Sequence, residues 1–302
     1  MIQPTRPPGL VELTPFGPDA EREAPLDLLI EVPHGAAGFE EFFALARRLR
    51  GELPEHLERF FYVNTDVGAY ALSEAIVARV LAARPQTRGV LARALVPRTF
   101  LDVNRLLDAS AAAYASGGVT AGVPSFITDP EDLKLLQALY ADYRAVVDPL
   151  WARLAPDGLG LTPHTYAPRT VGITKVDEHI VEALAACYAP GVEETWPLRP
   201  EVDLITTTPE GLDLAPPGLA DAVTERLFAL GVKAERDRSY NLHPVTLGHL
   251  RSVAWPGQVF CFEVRRDLLV RAWTPFEPME ADPTKVAPLA DAFAGAILAR
   301  WA

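Results

Sequence analysis

What most constrains the fold of this chain is the alternation of short apolar runs of strand length with longer segments of helical period, several runs ending at a polar residue. Leu26–Val32 is the clearest case, a mostly apolar run stopped by Pro33 that opens onto His34-Gly35, as a buried strand would. Residues 40–50 carry a helical pattern. Residues 60–63 read as a short strand ending at Asn64-Thr65-Asp66, and Ala69–Ala83 as a helix of Ala, Leu, Ile and Val with polar residues at helical spacing. Residues 89–95 follow as a strand, and 100–103 lie in or beside another. The small-residue stretch 109–125 reads as a surface loop placed over a site. After it come a long helix (131–154), a strand (158–162) leading into His164, a helix (178–188) and a strand (201–206). A helix (219–230), a late strand (259–264) and a closing helix (285–300) complete the pattern. Residues 4–25, rich in Pro and acidic side chains, read as an irregular arm or a short edge strand.

Such alternation predicts an α/β fold: a mixed, largely parallel central sheet with helices on both faces. No repeat and no convincing linker divides the sequence, so residues 1–302 read as a single domain, with continuity weakest across 188–208.

Charge narrows the partners. A net charge of −12 argues against nucleic acid, which needs clustered Lys and Arg to displace counterions. An acidic protein with an anionic substrate must hold it with a local cluster of arginines. No apolar run reaches the ~18 residues of a membrane span, so no membrane association is expected. Residues 1–18 lack a signal pattern, and the expected compartment is the cytoplasm. Cys187 and Cys261 have neither zinc-finger nor disulfide-framework spacing and read as buried free thiols.

In sheets of this kind ligands bind outside the carboxyl ends of the strands. Polar residues follow several of the expected strands here: His34, Asp66, Asn104-Arg105 and His164, with Glu263 inside the late strand. A lone histidine past a strand is more often a turn residue than a ligand. Two of them plus a carboxylate, however, make a zinc site with an open position, which catalytic zinc requires. In Phe100-Leu101-Asp102-Val103-Asn104-Arg105, Asn and Arg together can clamp a carboxylate, the Arg fork through two parallel bonds. The structural alternative is an ion pair of Asp102 with Arg105 or Arg98. Along Phe260-Cys261-Phe262-Glu263-Val264-Arg265-Arg266-Asp267, alternation sends Phe260, Phe262 and Val264 to one face and Cys261, Glu263 and Arg265 to the other. A buried Glu263 must be paired, bound to metal or raised in pKa, and the last suits a general base. The alternative is a salt bridge to Arg265 or Arg266.

Read in order, these segments resemble the N-formylglutamate amidohydrolases, which belong with the zinc carboxypeptidase and aspartoacylase group. Val32-Pro33-His34-Gly35 is similar to the family's Pro-His-small-Gly opening, and Asn64-Thr65-Asp66 to its Asp-Thr-Asp motif. Asp102-Val103-Asn104-Arg105 resembles the Asp-aliphatic-Asn-Arg motif, Pro163-His164-Thr165-Tyr166 the second histidine segment, and Phe262-Glu263-Val264-Arg265 the catalytic Glu strand.

The resemblance implies a zinc-carboxypeptidase-like (phosphorylase/hydrolase-like) catalytic domain with zinc held by His34, His164 and one carboxylate. It implies that Glu263 deprotonates the attacking water and passes its proton to the leaving amine. Arg105, Asn104 and Arg98 would hold substrate carboxylates, and Tyr70 or Tyr166 would donate to the oxyanion. The substrate implied is a small N-formyl or N-acyl amino acid such as N-formylglutamate, in amino-acid degradation.

Three departures bear on the site. Ala37 stands three after His34, where a carboxypeptidase-like His-x-x-Glu pattern needs its ligand. Asp66 is then the expected third ligand, with Glu40 and Glu41 as competitors. Thr162 replaces the Asp usual two before the second histidine, and Tyr240-Asn241-Leu242-His243-Pro244-Val245-Thr246 replaces a glycine-rich segment. His243 there is a substrate contact or a solvated loop residue. His56, His179 and His249 read as surface residues, and the five tryptophans as packing. Two other readings stay open: a carboxypeptidase-like zinc peptidase, and an inactive homologue that binds an amino-acid derivative. The sequence does not give the oligomeric state.

Overall fold

The computed structural model describes residues 9–18 and 24–302. Its strands are β1 Val11–Phe16, β2 Leu26–Val32, β3 Gly89–Ala94, β4 Leu154–Tyr166, β5 Val202–Ile205, β6 Ala234–Arg236 and β7 Val259–Arg265. Its helices are α1 Phe39–Ala46, α2 Leu57–Asn64, α3 Ala69–Ala83, α4 Ala111–Ser116, α5 Pro130–Trp151, α6 Ile180–Cys187, α7 Leu219–Ala229, α8 Leu247–Ala254 and α9 Pro283–Arg300.

The strands form one seven-stranded sheet in the order β1-β3-β2-β4-β7-β5-β6. At its centre β3, β2, β4 and β7 run parallel, while β1 is antiparallel to β3, and β5 to β7. The mixed, largely parallel sheet read from the sequence is therefore the one observed.

Both faces of the centre are covered, as parallel strands require. Leu28, Ile30 and Val32 of β2, with Phe260, Phe262 and Val264 of β7, share one apolar cluster with residues of α3, α7 and α9. Leu29 and Cys261 point the other way, into a cluster with Tyr143, Trp151 and the side chains of α2 and α6. The expected alternation along β7 thus holds.

Helix starts follow ordinary capping chemistry. Asp129 accepts from the backbone of Glu131 and Asp132 ahead of α5, and Asp282 from Thr284 ahead of α9, each followed by a proline whose missing N–H costs nothing there.

Two expected strands are not strands. Residues 60–63 lie inside α2, where Phe60, Phe61, Tyr62 and Val63 are all buried; the polar Glu58, Arg59 and Asn64 stand outside that run, so four consecutive apolar residues mimic a strand. Residues 100–103 form turns, apolar because the turn itself is buried. β4 continues past 162 to take in His164; α8 and β6 were not anticipated, and neither was the short helix α4 inside the stretch 109–125 read as a loop. Of the stretch 4–25, residues 11–16 are the edge strand β1; residues 4–8 and 19–23 lie outside the described residues. No described helix is long and apolar enough to cross a membrane.

Candidate metal centre and its cavity

Because β3, β2, β4 and β7 run parallel, their carboxyl ends face one way, and the chemistry-bearing residues collect there. His34 follows β2 by two positions. His164 and Glu263 are register partners on the adjacent strands β4 and β7. Asp66 sits between α2 and α3, and Asp102 in the turn beyond β3.

Local sequence explains these placements. A Cβ on Gly35 would stand 2.4 Å from Arg93 Cγ and 3.0 Å from the Ala94 carbonyl, so only glycine lets the chain pass β3 as it leaves His34. Gly68, at φ +94°, turns the chain from Asp66 into α3, and a side chain there would also strike Leu269. Thr65 Oγ1 donates to the Ala36 carbonyl (2.8 Å), tying the Asp66 segment to the His34 turn. Asp66 was expected at the end of a strand; it follows a helix instead, because residues 60–63 are helical.

Three ligand-type atoms converge. His34 Nδ1 and His164 Nδ1 lie 3.1 Å apart, and each lies 3.1 Å from Asp66 Oδ2. The residues are 3 %, 6 % and 2 % exposed. Among the described residues this is the one group of three or more His, Cys, Asp or Glu side chains close enough to hold a metal ion. Glu41 is engaged elsewhere, paired with Arg93 at 2.8 Å, and Glu40 is exposed.

The surroundings prepare these atoms. His34 Nε2 donates to Asp102 Oδ1 (2.7 Å), which orients the ring so that Nδ1 faces the cluster. Asp102 also pairs with Arg98 (2.9 Å) and Arg105 (3.5 Å), so the ion pair read from the sequence forms with both arginines. Burial pushes the Asp66 and Asp102 carboxyls up. The neighbouring histidine and arginine charges outweigh it and hold both well below the usual carboxylate range. Asp66 therefore stays ionised, as a ligand must.

Glu263 is different. Neither expected salt bridge forms: Arg265 pairs with Asp267 and Glu201, and Arg266 donates to Val63 and Thr165. No described residue donates a hydrogen bond to the Glu263 carboxylate, and its Oε2 is sealed from solvent. Burial pushes its carboxyl up to about 7, with Asp66 adding to the rise and His164 opposing it.

These groups face a cavity of about 240 Å³, lined by His34, Asn104, Arg105, His164 and Glu263 on one side and by Phe60, Val63, Ile180 and Leu184 on another. Arg98, Tyr166 and His243 line it too. Arg105 is buried but loosely held, its nearest oxygens at 3.3–3.5 Å. Asn104 Oδ1 accepts from Gly248 N at 3.3 Å, and its Nδ2 lies 3.4 Å from His164 Nε2. The Tyr166 hydroxyl donates to the Pro200 carbonyl (2.7 Å), so its proton is already used. Tyr70 does not line the cavity; its ring lies under Arg93. His243 is half-buried against Ser116 Oγ (3.3 Å), so the small-residue segment does lie over this cavity.

Sequence reasoning missed Tyr188 and Arg266. Arg266 is 1 % exposed and pulled down to about 10 by burial; among the described residues it has no carboxylate partner, and the buried Tyr188 hydroxyl has no hydrogen-bond partner. Both line the cavity. The double Arg265-Arg266 after the Glu263 strand was the available signal for the first; a lone Tyr in a helix end gave none for the second.

No family model matches the chain, and no curated protein matches its sequence. Solved structures match its fold. The N-formylglutamate amidohydrolase from Ralstonia eutropha JMP134 aligns at a TM-score of 0.54 and 17 % identity, covering 96 % of each chain. A gene product of Agrobacterium tumefaciens aligns at 0.51 and 16 %, covering 97 % of this chain and 94 % of the other. At such identities the shared property is the fold. The family whose motifs the sequence resembles is thus represented among the structures built this way.

Proposed function

We propose that this protein is a zinc-dependent amidohydrolase that cleaves the N-acyl amide of a small carboxylate-bearing amino acid, with N-formylglutamate the first substrate to test. The observation that carries the reading is the convergence of His34 Nδ1, His164 Nδ1 and Asp66 Oδ2 at 3.1 Å, beside the unpartnered Glu263.

The donor set fits the metal. Two imidazole nitrogens and one carboxylate leave an open coordination position, the pattern of catalytic rather than structural zinc. His34, its other nitrogen bonded to Asp102, would offer Nδ1 to a cation. Zinc, when bound, supplies Lewis-acid polarisation of the amide carbonyl and an acidified water.

The chain's own groups do the rest. Glu263 takes a proton from the attacking water and delivers it to the leaving nitrogen, so the C–N bond breaks to a free acid and a free amine. A carboxyl raised toward neutrality is matched to both transfers. Arg105, buried with donors only weakly engaged, holds the substrate carboxylate beside Asn104. Arg98 bridges Asp66 and Asp102, so it sets the charge of the ligand network as well as lining the cavity. Asp102 is a positioning residue, acting through His34.

The test is hydrolysis of N-formylglutamate, N-acetyl amino acids and dipeptides by protein of measured zinc content. Zinc-dependent release of amine from the acyl amino acids is expected. Turnover confined to dipeptides would move the reading to a peptidase, and no turnover of any of them by zinc-loaded protein would refute it.

A further inference from the structure

The cavity has an outer continuation. A cleft of about 860 Å³ opens from the same Arg98, Arg105, Arg199 and Tyr240 that line the inner cavity. The two spaces suit different parts of a ligand. The inner volume falls below the roughly 300–1,000 Å³ of sites that enclose a drug-sized molecule, while the outer lies near the top of that range. An N-acyl amino acid leaves the outer cleft empty.

Its charge is opposite to that of the protein. In a chain of net charge −12, the outer cleft adds Lys233, Arg238 and Arg265 to the shared arginines, against Glu201 and Glu235. Those two carboxylates are already committed, Glu201 to Arg265 and Glu235 to Lys233. Arg199 and Arg238 have no carboxylate within ion-pair distance among the described residues.

Both are held in place by other means. The Arg199 guanidinium lies over the rings of Tyr166 (5.0 Å) and Tyr240 (5.9 Å), and its Nε donates to Thr170 Oγ1 at 3.1 Å. Stacking of this kind fixes a cation without neutralising it. Arg238 is exposed at the tip of a turn anchored from below. Asp203, fully buried on β5, accepts from the backbone of Arg238 (3.0 Å) and Ser239 (2.6 Å), while Asp237 accepts from Thr206 N at 2.8 Å. The anchored turn thus places on the cleft wall an arginine that has no carboxylate partner among the described residues.

Resting on the amidohydrolase reading above, we infer that the outer cleft recognises a second acidic unit: the substrate is an N-acyl amino acid extended through its side chain by an acidic residue. The α-carboxylate stays with Arg105 in the inner cavity. The extension passes Arg199 and places its carboxylates against Arg199 and Arg238.

Three substrates test this: N-formylglutamate, N-formyl-γ-glutamylglutamate and the neutral N-formyl-γ-glutamylalaninamide. The wild-type protein should favour the acidic extension over both others by at least ~10-fold in kcat/KM, less so at high salt. Arg238→Ala should lower the ratio of acidic to neutral extension by about 3- to 5-fold, and Arg238→Glu by more than ~10-fold. A ratio near one in the wild type, or one that Arg238→Glu does not move, overturns the inference. Calorimetric titration with γ-glutamylglutamate separates its failure from that of the amidohydrolase reading. Salt-sensitive binding lost in Arg238→Glu supports the cleft even if no amide is cleaved, and absence of binding refutes it even if N-formylglutamate is turned over.

Discussion

Glu31 and Glu263 each interrupt an apolar strand, on β2 and β7, the two strands that flank β4. Glu31 is 2 % exposed and fully answered: Tyr143 Oη donates to it at 2.6 Å, Trp151 Nε1 donates to it, and Arg251 approaches at 3.4 Å. Arg251 in turn reaches Asp148 at 2.6 Å. Glu263, by contrast, accepts nothing from the described residues and faces a cavity. The first arrangement offsets the cost of a buried charge locally and holds α5 and α8 to the sheet. The second, half-buried, leaves its Oε2 unmatched at a cavity wall, an arrangement that occurs more often at functional sites than elsewhere. Two glutamates in similar strands thus differ in hydrogen-bond satisfaction, and on the proposed function they serve opposite ends.

The largest expected effect breaks the pair apart. Glu263→Gln should lose about 10²–10⁴-fold in kcat while keeping zinc and its melting temperature, because the isosteric amide cannot move the proton. Glu31→Gln should destabilise by about 2–4 kcal/mol, since Tyr143, Trp151 and Arg251 lose a charged acceptor, with kcat per folded molecule little changed. Steady-state kinetics with thermal melts on both variants checks the contrast. A Glu263→Gln protein that melts early, or a Glu31→Gln protein that is stable and inactive, would reverse the assignments.

Within the site, Asp66→Ala should weaken zinc binding by at least ~10-fold in chelator competition, and Glu40→Ala or Glu41→Ala far less. Arg105→Lys should raise KM by about 10-fold with a smaller change in kcat, because a lysine cannot reproduce the bidentate fork.

How far the sequence could go is visible in the same two strands. The alternation around Glu263 was legible, as were β2, α3 and the closing helix, because long periodic segments and strands bounded by proline or glycine carry their own signal. The sequence could not tell which strand glutamate is satisfied, since the partners of Glu31 come from residues 143, 151 and 251. The reading of 60–63 failed for a related reason: four buried residues in a row leave no polar face from which to take a period. Of the site, His34 and His164 were legible from their places after strands, while Asp66 came in through the family resemblance, against Glu40 and Glu41, on a strand end that is in fact a helix end. The hold of Asp102 on His34 spans 68 positions and needed the fold.

A smaller effect sharpens the comparison through pH. The Glu263 carboxyl is raised to about 7 from an unfolded value of 4.5, so the metal-free folded state holds a proton that the unfolded state has released. Its contribution is present below 4.5 and is lost as pH rises through about 7. Metal-free wild type should therefore lose about 1–3 kcal/mol relative to Glu263→Gln between pH 5 and pH 8. Asp66 and Asp102, shifted the other way, add stability that disappears only in acid, as pH falls below the ordinary carboxylate range. Denaturant melts of both metal-free proteins at the two pH values measure the difference, and parallel behaviour would mean that Glu263 is not held protonated.

The central claim, that the His34–Asp66–His164 cluster is a metal centre, is tested most directly by titrating zinc into metal-free wild type, His34→Ala and His164→Ala, with circular dichroism confirming that all three are folded. The wild type should bind one equivalent, and each variant should fail to retain it after gel filtration. A folded variant that keeps a full equivalent, or a wild type that binds none, would contradict the account.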